Sequence, residues 1–246
     1  MKLKFFITII SIFLVAANSF AQAEQVVITS EKITYTRKGK NLPEFKKTFE
    51  VNYPRISGVN AAVKRNIENS VSYWKNFETT LEENLGEYNW LSSLDYEVGY
   101  NKRGILAIDL IMEGAGAYPD GSIKKLVIDL KTGKRVFIKD VFTDVENLLL
   151  LIEKEQKAEI KRERDEFIKR GEKEDAAEFD RQIKSSGYSV NKLEEFTVND
   201  AGVVFSHDYN FPHVVKALEP SGQYIFSWAD LRKFIKSDGL LAKFIN

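Results

Sequence analysis

The sequence predicts an α+β fold: a mainly antiparallel sheet packed by a long amphipathic helix, with a charged helical insertion and a C-terminal helix. Three observations carry that prediction. Runs of β-branched and aromatic residues come in pairs separated by turn signals, as in hairpins. One stretch repeats apolar residues every three or four positions, as on a helix face. Strand-like and helix-like segments do not alternate strictly, so a doubly wound parallel sheet is not expected.

Met1 to Lys4 gives a basic start, and Phe5 to Ala17 is apolar except at Thr8 and Ser11. Ala21-Gln22-Ala23 then supplies small residues at the spacing a signal peptidase reads. Residues 1–23 read as a signal peptide cleaved after Ala23, leaving 24–246 as one exported domain, periplasmic or secreted. The thirteen apolar-run residues fall short of the ~20 that span a bilayer, so no transmembrane segment is expected in the mature chain.

Val26–Arg37 and Lys46–Tyr53 read as an opening strand pair around the turn-like Lys38–Pro43. From Val59, the positions Val63, Ile67, Val71, Trp74, Phe77, Leu81 and Leu85 predict one long helix, N-capped by Ser57 and stopped by Gly86. Leu94–Tyr100 and Ile105–Met112 form a hairpin turning over Asn101–Gly104. A second hairpin joins Ile123–Leu130 to Lys134–Ile138, with Gly133 suited to a positive φ. Residues 145–187 change character: from Glu153 to Lys184, 21 of 32 residues are charged, 11 acidic and 10 basic, which makes a solvated helix or helical hairpin with a bend at Gly171. Phe196–Asn199 and Val203–Tyr209 pair around Asp200–Gly202, and Gly222–Phe226 reads as the last strand. Ser227-Trp228-Ala229-Asp230 resembles a capping box opening a terminal helix with Leu231, Phe234 and Ile235 on one face.

Charge and residue inventory exclude several functions. Lys plus Arg and Asp plus Glu both total 36, so no basic surplus favours nucleic acid. The absence of Cys excludes disulfides, thiolate metal sites and Cys nucleophiles. The two His, His207 and His213, lack the i,i+4 spacing of a zincin pair, and neither a metal nor a cofactor is expected. Ser206-His207-Asp208 carries the letters of a triad, but adjacent strand residues point to opposite faces. His207 falls in register with Val203, Phe205 and Tyr209, as a half-buried core histidine would. Neither a P-loop nor a dinucleotide-binding glycine fingerprint occurs.

Three classes of function stay open on the residues alone, one of them a structural envelope protein whose charged helical segment, residues 153–184, recruits a partner. A binding surface would use the exposed turn Tyr118-Pro119-Asp120-Gly121 with Tyr209, Phe211 and Tyr224, whose rings could stack on sugar or anchor a protein. Other rings of that C-terminal group, Trp228 above all, are expected to close the core. A glycan-modifying enzyme, hydrolase or deacetylase, would use Asp109, the lone acid of an otherwise apolar strand, with Asp120 or His213.

Several motifs bear on that choice. Tyr53-Pro54-Arg55-Ile56-Ser57-Gly58 precedes the long helical stretch, and Gly114-Ala115-Gly116-Ala117-Tyr118-Pro119 follows the first hairpin. Ile128-Asp129-Leu130-Lys131-Thr132-Gly133-Lys134 leads to Asp140-Val141-Phe142, and Phe196 leads through Gly202–Phe205 to Tyr209, Phe226 and Leu231. In this order they resemble the RsiV-like extracytoplasmic domain family, found in the outer part of the lysozyme-sensing anti-sigma factor RsiV and in PdaC-type peptidoglycan deacetylases. The resemblance covers roughly residues 50–236. It implies an α+β domain that binds rather than catalyses, with a cell-wall glycan or an envelope or secreted protein such as lysozyme as partner. The family's Gly-Ala-His-Pro loop here has Tyr118 in place of the His, and no residues match the deacetylase or sigma-binding parts of those relatives. The expectation is an exported, non-catalytic cell-envelope binding module contacting its ligand through Tyr118, Pro119, Asp120, Tyr209, Phe211 and Tyr224.

Overall fold

The computed structural model describes residues 24–115, 119–184 and 193–245; the expected signal peptide, Tyr118 and residues 185–187 of the charged segment lie outside the described residues. Six strands, β1 (Val27–Thr36), β2 (Thr48–Ser57), β3 (Leu91–Lys102), β4 (Ile105–Ala115), β5 (Pro119–Asp129) and β6 (Lys134–Arg135), lie side by side in chain order. Neighbours pair antiparallel except β2 and β3, which are parallel through Glu50↔Ser93 and Val51↔Leu94. A second sheet joins β7 (Phe196–Val198), β8 (Gly202–Ser206) and β9 (Gln223–Ser227), all antiparallel. The architecture is α+β with a mostly antiparallel main sheet, as the sequence predicts.

The helices are α1 (Glu44–Lys47), α2 (Ala61–Ser70), α3 (Tyr73–Asn76), α4 (Leu81–Asn84), α5 (Ile138–Val141), α6 (Val145–Lys169), α7 (Lys173–Ile183) and α8 (Trp228–Leu231). The single long helix expected from Val59 to Leu85 is corrected to the three short ones α2, α3 and α4. Ser57 ends β2, and Asn60 is the N-cap, its Oδ1 accepting from the backbone N–H of Ala62 (3.0 Å) and Val63 (2.9 Å). The chain breaks again at Val71–Ser72, where Asn76 Nδ2 donates to the carbonyls of Ser70 and Ser72 (2.9 Å each). Serine and threonine compete locally for backbone hydrogen bonds and favour caps over helix interiors. Thr80 does so in a capping box with Glu83. The apolar period still reports burial: Val63, Ile67, Val71 and Tyr73 are buried, with Trp74, Phe77, Leu81 and Leu85 packed against the same core.

That core covers one face of the main sheet and includes Leu106, Ile108 and Leu110 of β4. Alternate residues of the same strand, Ile105 and Ala107, enter a second core with the three-stranded sheet, α5 and the start of α6. Burial on both faces explains why this stretch is apolar almost throughout. A third cluster joins Phe167 of α6 and Ala176 and Phe179 of α7 to Tyr209 and Phe211. Gly171, at φ +81°, bends α6 into α7, so the charged segment is a helical hairpin packed on the body along its apolar stripe.

Hairpin limits shift in three places. Arg103 and Gly104, both at positive φ, make a two-residue turn between β3 and β4. β6 is two residues long, and Ile138 begins α5 rather than ending a strand. β8 stops at Ser206, so the residues up to Tyr209 leave the sheet. Ser227 caps α8 through the expected box with Asp230, and Phe234 and Ile235 are buried beyond its four residues. Among the described residues, no helix is long and apolar enough to cross a membrane.

Candidate functional site

β4 and β5 extend past the second sheet, so the face that buries Ile105 and Ala107 continues as Asp109, half-exposed Ile111 and exposed Glu113. Opposite them on β5 stand Lys125, Ile123 and Gly121. The segment from His207 to Gly222, which connects β8 to β9, stands across from this extension. Between the two lies a groove with two lobes, of about 730 Å³ and about 1200 Å³. The lobes share Glu113, Gly121, Ser122, Asp208, Asn210 and Lys216 and so form one groove.

The first lobe is lined on the sheet side by Ile111, Ile123 and Lys124 and on the loop side by Glu219, Ser221 and Gln223. The second is closed by Trp90, Pro119 and Asp120 on one side and by Phe211, Pro212 and His213 on the other. Trp90 precedes β3, is 36% exposed, and lies across Gly114 of β4. Sequence reading gave it no role because nothing local marks it; only the strand pairing puts it beside Asp120, whose partner in register is Gly114.

Charges on the groove are largely matched. Lys216 Nζ lies 2.5 Å from Glu219 and 3.6 Å from Asp208. Burial pulls its pKa down, but the Glu219 hydrogen bond and the nearby carboxylates outweigh burial and leave it raised. Lys124 pairs with Glu195 at 3.3 Å. Glu113 accepts from Ser93 Oγ at 3.1 Å, and Asp120 accepts from the N–H of Gly121 at 2.8 Å.

Of the residues expected to touch ligand, Pro119, Asp120 and Phe211 line the second lobe. Pro119–Gly121 is not the turn expected. It opens β5, with Pro119 opposite Ala115, Asp120 opposite Gly114 and Gly121 opposite Glu113. Proline is tolerated as the first residue of a strand, where its missing N–H costs least. Tyr118 lies outside the described residues. Tyr209 and Tyr224, expected at a contact surface, are buried at 4% and 3% exposure with their hydroxyls 2.7 Å apart and on Glu159. Burial pushes Tyr209 up to about 12 and Tyr224 higher still, so both stay neutral donors.

The enzymatic candidates separate. Asp109 faces Lys125 across β4 and β5 in a half-buried ion pair of 2.7 Å and is not part of the lining. Asp120 and His213 both line the second lobe. His207 is buried, donates its backbone N–H to Gly222 (2.8 Å), and packs its ring edge-on against Tyr209 at 4.5 Å. Trp228 stacks flat on Phe244 at 4.0 Å, closing the core. Among the described residues, no three His, Asp or Glu side chains converge as a metal-ligand set.

No protein-family model matches the chain, and no curated protein matches it. Among the solved structures similar to it are two that match along nearly their whole length. A DUF3298 family member from Bacteroides fragilis superposes with a TM-score of 0.59 at 14% identity, covering 89% of this chain and 97% of that one. A DUF3298 family protein from Pseudomonas aeruginosa superposes with a TM-score of 0.50 at 13% identity, covering 87% and 95%. At such identities the likeness concerns the fold, and the chain shares the fold of these two members of a family named as a domain of unknown function.

Proposed function

We propose that this chain is an exported, non-catalytic binding module of the cell envelope whose groove takes a peptidoglycan-like glycan. The observation that carries the reading is Trp90, an indole laid against Gly114 in the second lobe of the groove, which Asp120, Glu113, Ser122 and Asn210 also line. A sugar ring has an apolar C–H face, which an indole face covers, and an edge of hydroxyls, which carboxylates and amides bind. The second lobe, about 1200 Å³, exceeds the roughly 300–1,000 Å³ of a small-molecule pocket. Such room suits a stretch of polymer better than a monosaccharide.

The RsiV-like resemblance supports the envelope setting, as does the secretory pattern of residues 1–23. It also supports a second reading, a protein ligand such as lysozyme, for which the carboxylates of Glu113, Asp120 and Asp208 would meet a basic partner. The glycan-modifying alternative is weakened at Asp109, which is ion-paired with Lys125 and does not line the groove, and rests on Asp120 with His213.

Residues 24–246 should be titrated with N-acetylglucosamine oligomers and soluble peptidoglycan fragments, following tryptophan emission, and cosedimented with purified sacculi. The chain has three Trp, of which Trp90 alone lines the groove, so saturable quenching that disappears in Trp90→Ala supports the glycan reading. Absence of binding to both oligomers and sacculi overturns it, and lysozyme capture in its place selects the protein ligand. A changed fragment mass pattern after incubation with sacculi would make the chain an enzyme.

A further inference from the structure

We propose that Glu159 is the positioning residue of the groove, and that the charged hairpin of α6 and α7 is the element that holds the groove's outer wall in place; as a statement about ligand binding, this rests on the reading above. The wall is the segment 208–221, and its ends meet at one point. His207 donates its backbone N–H to the carbonyl of Gly222 at 2.8 Å. Gly222 has φ +61°, and a Cβ there would lie 2.0 Å from the carbonyl oxygen of His207, so only glycine closes this neck.

Glu159 of α6 sits on that neck at 4% exposure. Its Oε1 accepts from Ser221 Oγ at 2.6 Å and from the N–H of Gly222 at 3.2 Å. Its Oε2 accepts from the hydroxyls of Tyr224 at 2.9 Å and Tyr209 at 3.3 Å. One carboxylate therefore binds donors from both ends of the wall. Hydrogen bonds to a buried ion are the strong kind, and an ion or donor left unpaired there is costly.

The wall also has two sides. Tyr209 and Phe211 pack onto the hairpin, Phe211 meeting Phe179 of α7 at 6.2 Å between ring centres while it also closes the second lobe. Asp208 and Asn210, between and beside them, are exposed and line both lobes of the groove. The hairpin thus packs behind the wall whose front meets the ligand. A ligand that needs the wall in this position then stabilises the hairpin's docking, and the docking favours the ligand by the same amount.

The test is amide hydrogen exchange on residues 24–246 with Glu159→Ala and Glu159→Gln, together with titration by an N-acetylglucosamine oligomer. In Glu159→Ala, amides of 208–221 should exchange about tenfold faster or more while those of β3, β4 and β5 keep their rates, and the oligomer should bind about tenfold more weakly. Glu159→Gln keeps an acceptor oxygen for Ser221 and Gly222 and should recover part of both effects. Unchanged exchange over 208–221 in Glu159→Ala overturns the proposal, as does full oligomer affinity in that variant. If Glu159→Ala does not fold, Ser221→Ala removes one exposed donor and serves in its place, with unchanged exchange again decisive. Faster exchange in a chain whose wild type binds no oligomer upholds the positioning and removes the glycan reading alone.

Discussion

Trp90 occupies the space a side chain at position 114 would need: a Cβ on Gly114 would fall 1.6 Å from Cε3 of the indole and 2.6 Å from the Trp90 carbonyl oxygen. The glycine is therefore a requirement of the groove rather than of the strand. Gly114→Ala should displace the ring and, as an overpacked contact, cost about 1–3 kcal/mol. The check pairs a denaturant melt with tryptophan emission. A variant of wild-type stability, emission and groove binding would show that the indole does not depend on this contact.

Arg37, just past β1, is 6% exposed and faces carbonyls rather than a carboxylate. Its Nε donates to Asn84 (3.1 Å), Nη1 to Lys46 (2.7 Å) and Thr48 (3.4 Å), and Nη2 to Leu91, while the guanidinium lies 4.9 Å from the centre of the Phe49 ring. One planar fork ties α4, the β1–β2 connection and the start of β3 together. Desolvation by burial lowers its pKa, from a value so high that it stays charged. Arg37→Lys lacks the fork geometry and should lower stability by roughly 2–3 kcal/mol in urea unfolding. A loss below about 0.5 kcal/mol would mean that water replaces these bonds.

How much of this was legible in sequence depends on the range of the interaction. The β3–β4 hairpin, the bend at Gly171 and the Ser227 capping box are fixed by neighbours a few residues apart, and all three are readable. The breaks in the helical stretch were written in Asn60, Ser72 and Thr80, but the period of Val63 to Leu85 masked them. Pro119-Asp120-Gly121 has turn composition, and pairing with β4 overrides it. The groove was legible only in parts. Asp120, Pro119 and Phe211 were candidates, yet Trp90 and Lys216 reach the site from segments more than a hundred residues apart. The aromatic pattern marked Tyr209 and Tyr224 without revealing that their partner is an acid inside the charged run.

Glu194 supplies a pH-dependent prediction. Burial raises its pKa above the ordinary glutamate value of 4.5, and the opposing pull of the Ile138 backbone hydrogen bond and the Arg135 charge does not cancel that rise. Among the described residues, its Oε2 is buried without a hydrogen-bond partner. A carboxyl raised in the folded state favours folding while protonated, and that contribution is lost as pH climbs from about 4.5 through the raised value. Glu194→Gln should therefore raise Tm at neutral pH, with the gain shrinking to nothing below about pH 4.5. A gain independent of pH would point to packing instead of charge.

Phe179 tests whether the charged hairpin is an appendage or part of the body. By composition it reads as solvated, and if it were a partner-recruiting arm, removing residues 153–184 would spare the remaining fold. Its one fully buried ring argues otherwise. Phe179 has 0% exposure and meets Phe167 at 5.6 Å and Phe211 at 6.2 Å, joining both helices to the groove wall. Phe179→Ala leaves a cavity among aromatic rings and should cost about 3–5 kcal/mol, against less than about 0.5 kcal/mol for Ile168→Ser on the outer face, where the side chain is 47% exposed. Chemical unfolding of both variants decides it, because equal and small losses would mean that the hairpin is not part of the cooperative fold. A loss confined to Phe179→Ala, with faster exchange at Tyr209 and Phe211, makes the most highly charged segment of the chain a structural support of its groove.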